Sequence, residues 1–454
     1  MSISLPAAFI DSLKQLEYFD EKSFKNAHTK GQQVTSVRFN PYKTFDISFS
    51  SLSIESGVPW CPFGKYLHER PFFTFDPLLH AGAYYVQEAS SMFLWHALKQ
   101  TTGENTAGLR VLDLCAAPGG KSTLLASYFT NGLVVANELI RSRANILTEN
   151  ITKWGADNVV VTCNEPQHFT NLKNYFDVIV VDAPCSGSGL FRKDPAAINE
   201  WGENSVAACS QRQQRILADI YPALKQGGLL IYSTCSYSKE EDEDISDWLK
   251  AGFEVQSLKL ETDSNWGIIE TVTEKNNYGY RFFPDKLKGE GFFIAAFKKL
   301  DGALVHQHQS AITAAPKQET AIAGTWVKNN NDLFYFKQAE NILAIPAQWK
   351  QDIALLQKNL YLRKAGIAIG ALKRTDMVPN HELALSHLLS DNTQRINVSK
   401  ADALLYLKRK EIVTGDMLKG WAIITYGGLG IGWAKVLHNR INNYYPAGWR
   451  ILKD

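Results

Sequence analysis

No two cysteines of this chain are spaced C-x-x-C, although six are present: Cys61, Cys115, Cys163, Cys185, Cys209 and Cys235. The usual zinc-ligand spacing is therefore missing, and no metal is expected. No apolar run approaches the roughly 18 residues that would suggest a membrane span. The opening MSISLPAAFIDSLKQ lacks the basic-then-apolar pattern of a secretory leader. A cytoplasmic protein with no membrane partner is expected, and a disulfide framework is improbable there. The GxGxxG signature of dinucleotide sites and the GxxxxGK[ST] spacing of phosphate-binding loops are both absent. No self-similarity at a period of roughly 20 to 50 residues marks a repeat array.

What is present divides along the chain. At 454 residues the sequence exceeds what one hydrophobic core normally supports, so two or three domains are expected. Beyond residue 300 there are 19 Lys and Arg against 12 Asp and Glu; before it the balance is 29 against 34. A basic C-terminal third beside a mildly acidic body suggests a polyanion-binding module attached to a catalytic one. Residues 1–105 mix helical and extended patterns around the aromatic run VPWCPFGKYLHERPFFTF. From 106 to 300 apolar strands (LRVLDL, LVVANE, NVVVT, FDVIVVDAP, GGLLIYSTCS) alternate with helical patterns. That alternation implies a parallel sheet buried on both faces. FEVQSL and GFFIAAFKK read as an antiparallel hairpin closing it, and Ser238 with Glu241 fits a capping box opening a helix. Residues 301–325 are small, polar and aperiodic, as in a linker, and 326–454 resumes regular patterning.

Chemistry concentrates at strand ends. Cys115, Ala116, Ala117, Pro118, Gly119, Gly120 and Lys121 form a glycine turn between a strand and a helix, where backbone can approach a ligand and helix N–H groups are free. Glu138 ends the second strand, where a carboxylate could accept hydrogen bonds from ribose hydroxyls, and Glu165 follows the third, towards an adenine edge. Either could instead be a solvated strand end, and Cys115 is read as a small residue beside the loop. Two further strands end in thiols, VVDAPCSGSG (Asp182, Cys185) and YSTCS (Cys235). If those strands are neighbours, both sulfurs face one crevice. A thiolate adding to carbon 6 of a cytosine makes carbon 5 nucleophilic enough to take a methyl group from a sulfonium. The reaction also needs a group bonded to the base edge and a proton acceptor.

LDLCAAPGGK, VDAPCSGSG, STCSYSKEEDE and RFFPDKLKGEGFF, with AGAYYVQEASSM upstream, together resemble the Sun/NSUN family of RNA cytosine carbon-5 methyltransferases. The resemblance covers roughly residues 30–300. It implies a Rossmann-like, mostly parallel seven-stranded α/β methyltransferase domain that uses S-adenosyl-L-methionine. It implies Cys235 as nucleophile, Cys185 in release of product, Asp182 against the cytosine edge and cofactor, and Lys121 in the active centre. The cofactor would meet the CAAPGGK loop, Glu138 and Glu165. Relatives usually carry aspartate where Glu165 stands and often histidine where Asp285 stands.

The remainder is similar to the C-terminal extension of RsmF-type bacterial rRNA methyltransferases, which ends in a PUA-like β-rich module; WAIITYGGLGIGWAKVLHNRINNYYPAGWR carries that similarity. A small N-terminal α/β cap, a linker and this RNA-binding region complete the expected plan. Trp421, Tyr426, Trp433, Tyr444 and Tyr445 suit either base stacking or a small barrel core, and Lys435, Arg440 and Arg450 are candidates for surface contacts. Arg192 and Lys193 suit target phosphates or a solvated loop equally. RNA is the expected partner, small-subunit ribosomal RNA or the assembled subunit first. Transfer RNA, DNA cytosine methylation and an inactive assembly factor are the alternatives.

Overall fold

The β-branched runs between residues 110 and 182 form strands with almost no exposed surface. In the computed structural model, which describes residues 4–31, 33–103, 105–302, 310–374, 376–412, 418–438 and 440–453, they are β1 (Arg110–Asp113), β2 (Leu133–Asn137), β3 (Val159–Thr162) and β4 (Phe176–Asp182). With β5 (Leu224–Thr234) they lie in the order β3-β2-β1-β4-β5, all parallel. Every residue of β2 and β3 is buried, because helices cover both faces. Helices α1 (Gly120–Tyr128) and α2 (Arg141–Trp154) pack on the Val111, Val134 and Val159 side. Helices α3 (Glu203–Ile220) and α4 (Glu243–Gly252) pack on the Leu112, Val135 and Val160 side. The chain leaves β1 in one direction and β4 in the other, so a crevice opens at their carboxyl ends.

The sheet is wider than expected. Strands β6 (Val255–Ser257) and β9 (Phe292–Lys299) pair antiparallel, yet they do not make a hairpin. Residues between them form β7 (Ile269–Val272) and β8 (Tyr278–Phe282), which extend the sheet beyond β9. At the opposite edge β10 (Leu362–Ala365), from the C-terminal region, pairs antiparallel with β3 and makes the sheet ten-stranded.

A four-stranded sheet within residues 35–86 precedes this core, and two more lie within 333–379 and 395–443. The last of them shares a hydrophobic core with the first: Val37, Leu78 and Tyr84 pack in one cluster with Ile396, Tyr406 and Ile431. Tyr426 also donates to Phe49 O at 2.8 Å. Of the stretch expected as linker, 303–309 lies outside the described residues, while Lys317–Gly324 is helical and Ala314 bridges to Phe336. Among the described residues no helix is long and apolar enough to cross a membrane.

The expected capping box does not form. Lys239–Glu241 is a short 3-10 turn, α4 begins two residues later, and Ser238 makes no side-chain cap. Glu241 is instead fully buried and committed elsewhere.

Candidate active site

The Cys115–Lys121 turn leads from β1 into α1. Gly119 sits at φ 115°, the left-handed region that glycine tolerates, and no side chain caps the helix that follows. Its first N–H groups are therefore open to a ligand. The turn is braced from outside. Arg143 and Asn150 of α2 donate to Ala117 O at 2.9 Å and Pro118 O at 2.8 Å. From the N-terminal sheet, the buried Arg38 donates to Gly120 O at 3.2 Å and Thr123 Oγ1 at 2.6 Å. Burial lowers the Arg38 guanidinium to about 10.

Around this turn the acidic groups differ in their surroundings. Asp113 accepts from Ser122 Oγ at 2.6 Å through one oxygen, while the other is buried without a partner. Burial pushes its carboxyl up to about 7. Glu138 is buried and accepts from Ile140 N at 2.9 Å, with Arg143 Nη1 3.6 Å away. Glu165 is exposed and accepts from Gln167 Nε2 at 2.7 Å. Burial pushes the Cys115 thiol up, as does the Asp113 carboxyl beside it, so Cys115 holds its proton.

An amide chain that sequence reasoning missed crosses the same rim. Asn137 Nδ2 donates to Leu114 O at 3.1 Å and Asn164 O at 2.9 Å. The Asn164 side chain then pairs with the Tyr361 backbone beside β10, donating to its O at 3.1 Å and accepting from its N at 3.0 Å.

Strands β4 and β5 are neighbours in register, Asp182 against Ser233, and the loops after them bring the two thiols together. Cys185 Sγ lies 3.1 Å from Cys235 Sγ, and both residues are partly exposed. The hydrogen bond to Cys235, then burial, hold the Cys185 thiol well above its ordinary range. Asp182 accepts from Ser233 Oγ at 2.8 Å and lies 2.7 Å from Lys121 Nζ. The Lys121 ammonium also sits 5.0 Å from the Phe292 ring centre. Its immediate partner is thus the Asp182 carboxylate.

The EEDED run, read from sequence as helix capping, turns three carboxylates inward, those of Glu241, Asp242 and Glu243. Glu241 accepts from Ser186 N at 2.8 Å, Ser186 Oγ at 2.5 Å, Ser236 Oγ at 2.6 Å and Gln213 Nε2 at 3.1 Å. Asp242 and Glu243 pair with the buried Arg281. The one sequence signal for this was position: Glu241 follows Cys235 by six residues. Arg192 resolves differently from the two readings it was given. It is buried beside Glu290, with Nε 3.6 Å from Oε2, whereas Lys193 is exposed. Asp285 is half-buried, and burial raises its carboxyl.

This arrangement can be set against known proteins. A family model described as 16S rRNA methyltransferase RsmB/F matches residues 98–298. The chain is 31% identical to the ribosomal RNA small subunit methyltransferase F of Psychromonas ingrahamii, over 97% of this chain and 96% of that one. The chain belongs to the ribosomal RNA small subunit methyltransferase F family. Its counterpart in Pectobacterium atrosepticum is 29% identical over 98% of this chain and 95% of that one. Models of the RsmF N-terminal domain and RsmF PUA domain match residues 5–89 and 393–451. A methyltransferase homolog from Pyrococcus horikoshii aligns with TM-score 0.53 and 29% identity, over 65% of this chain and all of that one. NSun6 from the same organism aligns with TM-score 0.55 and 17% identity, over 66% of this chain and all of that one; at that identity it shows the fold alone.

Within the family's PUA domain most of the aromatic residues are core. Trp433, Tyr445 and Tyr426 are buried, Tyr444 is exposed, and Trp421 is half-buried with Lys435 Nζ 5.2 Å from its ring centre. Arg440 and Arg450 are exposed.

Proposed function

We propose that this protein transfers a methyl group from S-adenosylmethionine to carbon 5 of a cytosine in RNA, with Cys235 as covalent nucleophile and small-subunit ribosomal RNA as substrate. The observation that carries this reading is the 3.1 Å approach of the Cys185 and Cys235 sulfurs beside the Asp182–Lys121 pair. Membership of the rRNA methyltransferase family supports the substrate class, and the RsmF PUA domain match supports an RNA partner.

The residues of the crevice suit the cofactor. The uncapped start of α1, the unpartnered oxygen of Asp113 and the buried Glu138 combine free donors with free acceptors, as a zwitterionic amino acid carrying a ribose requires. The CAAPGGK turn, from Cys115 to Lys121, would hold the amino-acid end and Glu138 the ribose. Exposed Glu165 would meet the adenine. When bound, the cofactor supplies an electrophilic methyl group.

The chain's own groups do the rest. The Cys235 sulfur adds to carbon 6 of the ring, which loads electron density on carbon 5. Asp182, paired with Lys121, would hydrogen-bond the base edge and so hold the flipped ring. After methylation the carbon-5 proton passes to a solvent water in the open crevice, the electrons of that C–H bond re-form the ring double bond, and the Cys235 sulfur departs with the electrons of its bond to carbon 6. Cys185, still protonated and in contact with that sulfur, stabilises its departure. The test is transfer of labelled methyl groups to small-subunit rRNA or assembled subunits. Cys235→Ala is expected to abolish transfer and Cys185→Ala to accumulate a protein–RNA adduct. Transfer that survives Cys235→Ala overturns the reading.

A further inference from the structure

Two loops that are far apart in sequence must keep their sulfurs in contact, and neither is held by a regular ladder beyond the strand ends. The residue after each thiol, Ser186 after Cys185 and Ser236 after Cys235, donates to one carboxylate, that of Glu241. We propose that Glu241 is a positioning residue, a single buried carboxylate that clamps both thiol loops and thereby sets which cysteine is the nucleophile; this rests on the functional reading above.

The geometry supports a charged clamp. Four donors converge on its two oxygens, two of them N–H groups that can only donate. An ionised carboxylate accepts all four, whereas a carboxylic acid would have to turn a proton towards one of them. Glu241 is itself pinned: its backbone O accepts from Tyr232 OH at 2.6 Å, on the strand that ends at the Cys235 loop. Gln213 ties α3 into the same node, donating to Pro184 O at 3.1 Å as well as to Glu241. The loops are also joined directly, by Gly189 N to Cys235 O at 2.8 Å and by Tyr237 N to Ser188 Oγ at 3.0 Å. The clamp is lopsided: one loop gives Glu241 two bonds, to Ser186, and the other gives one. The charged and titratable groups facing Cys185 are Cys235, Glu241 and Tyr232. A negative charge at Glu241 opposes ionisation of Cys185, and the two bonds to Ser186 hold that loop the more tightly of the two.

The test is the ratio of Cys235 to Cys185 alkylation by iodoacetamide, read by mass spectrometry on the full chain without RNA between pH 6 and 9, for wild type, Glu241→Gln and the Ser186→Ala/Ser236→Ala pair. Wild type is expected to label mainly at Cys235. Glu241→Gln keeps the shape but removes the charge, and is expected to shrink that preference about tenfold, the equivalent of one pH unit in thiol ionisation. The serine pair is expected to shrink it less. Turnover of Glu241→Gln is expected to fall at least tenfold, with KM for RNA and cofactor affinity within twofold of wild type. An unchanged labelling ratio in both variants overturns the clamp, as does a turnover loss expressed wholly in cofactor affinity. A wild-type preference that collapses in Glu241→Gln, in a protein that methylates no RNA, keeps the clamp and refutes the functional reading.

Discussion

Replacing Arg281 by methionine removes the only positive charge from a buried trio. The guanidinium is 1% exposed, donates to Glu243 Oε1 at 2.7 Å and to Tyr237 O at 2.9 Å, and lies 3.1 Å from Asp242 Oδ2; its other terminal nitrogen pairs with the second Glu243 oxygen. Burial pushes the Glu243 carboxyl up, but the Arg281 charge outweighs it and leaves Glu243 below its ordinary range; burial holds Asp242 well above. Methionine fills much of the volume while leaving two buried carboxyls without a counter-charge, a loss of about 3–5 kcal/mol when one partner of a buried pair is removed. That is a hundredfold or more in the folded-to-unfolded ratio. In the variant Glu243 would titrate above its unfolded value instead of below it. Its penalty would then grow as pH rises past the ordinary glutamate range and fade as pH falls. Urea unfolding at pH 7.5 and pH 5, followed by tryptophan fluorescence, should show a large midpoint loss at pH 7.5 and a smaller one at pH 5. A loss below about 1 kcal/mol at pH 7.5, typical of an exposed pair, would refute the reasoning, as would a gap that widens on acidification.

Two other predictions concern the cofactor rim. Because burial raises Asp113 to about 7, the wild type should lose stability from this group as pH rises from about 4, the ordinary range of an unfolded aspartate, to about 7. Asp113→Asn should remove that slope, so thermal unfolding of the cofactor-free variant should gain on wild type between pH 5 and pH 8. Asn164→Leu deletes both side-chain bonds to Tyr361, a cost of about 1–3 kcal/mol for two ordinary hydrogen bonds. Amide exchange across 362–365 should speed up roughly tenfold to a hundredfold, with β1 and β4 unchanged.

The parallel core was legible because Val134–Ala136 and Val159–Val161 are unbroken apolar runs, which only a two-sided burial explains. The meeting of Cys185 and Cys235 was legible for a related reason: both follow strands of that core, and neighbouring parallel strands end on the same rim. The capping box was not, because Ser238 and Glu241 satisfy the local spacing whether the glutamate reaches back to its own helix or across to Ser186. Arg192 was likewise ambiguous, since nothing near FRKDP announces Glu290 a hundred residues away. Strand β10 left no trace in the pattern, being four residues long and tied to β3 by partners that lie two hundred positions upstream.

That short strand has a mechanical consequence. Ladder bonds to β3 fasten the C-terminal third of the polypeptide to the scaffold that carries the sulfurs, and its last sheet is fastened again through a common apolar interior with the first sheet. Attached at two places, it cannot swing like a bead on a tether. Any ligand that reached both the C-terminal module and the thiol crevice would therefore have to span one fixed distance between them.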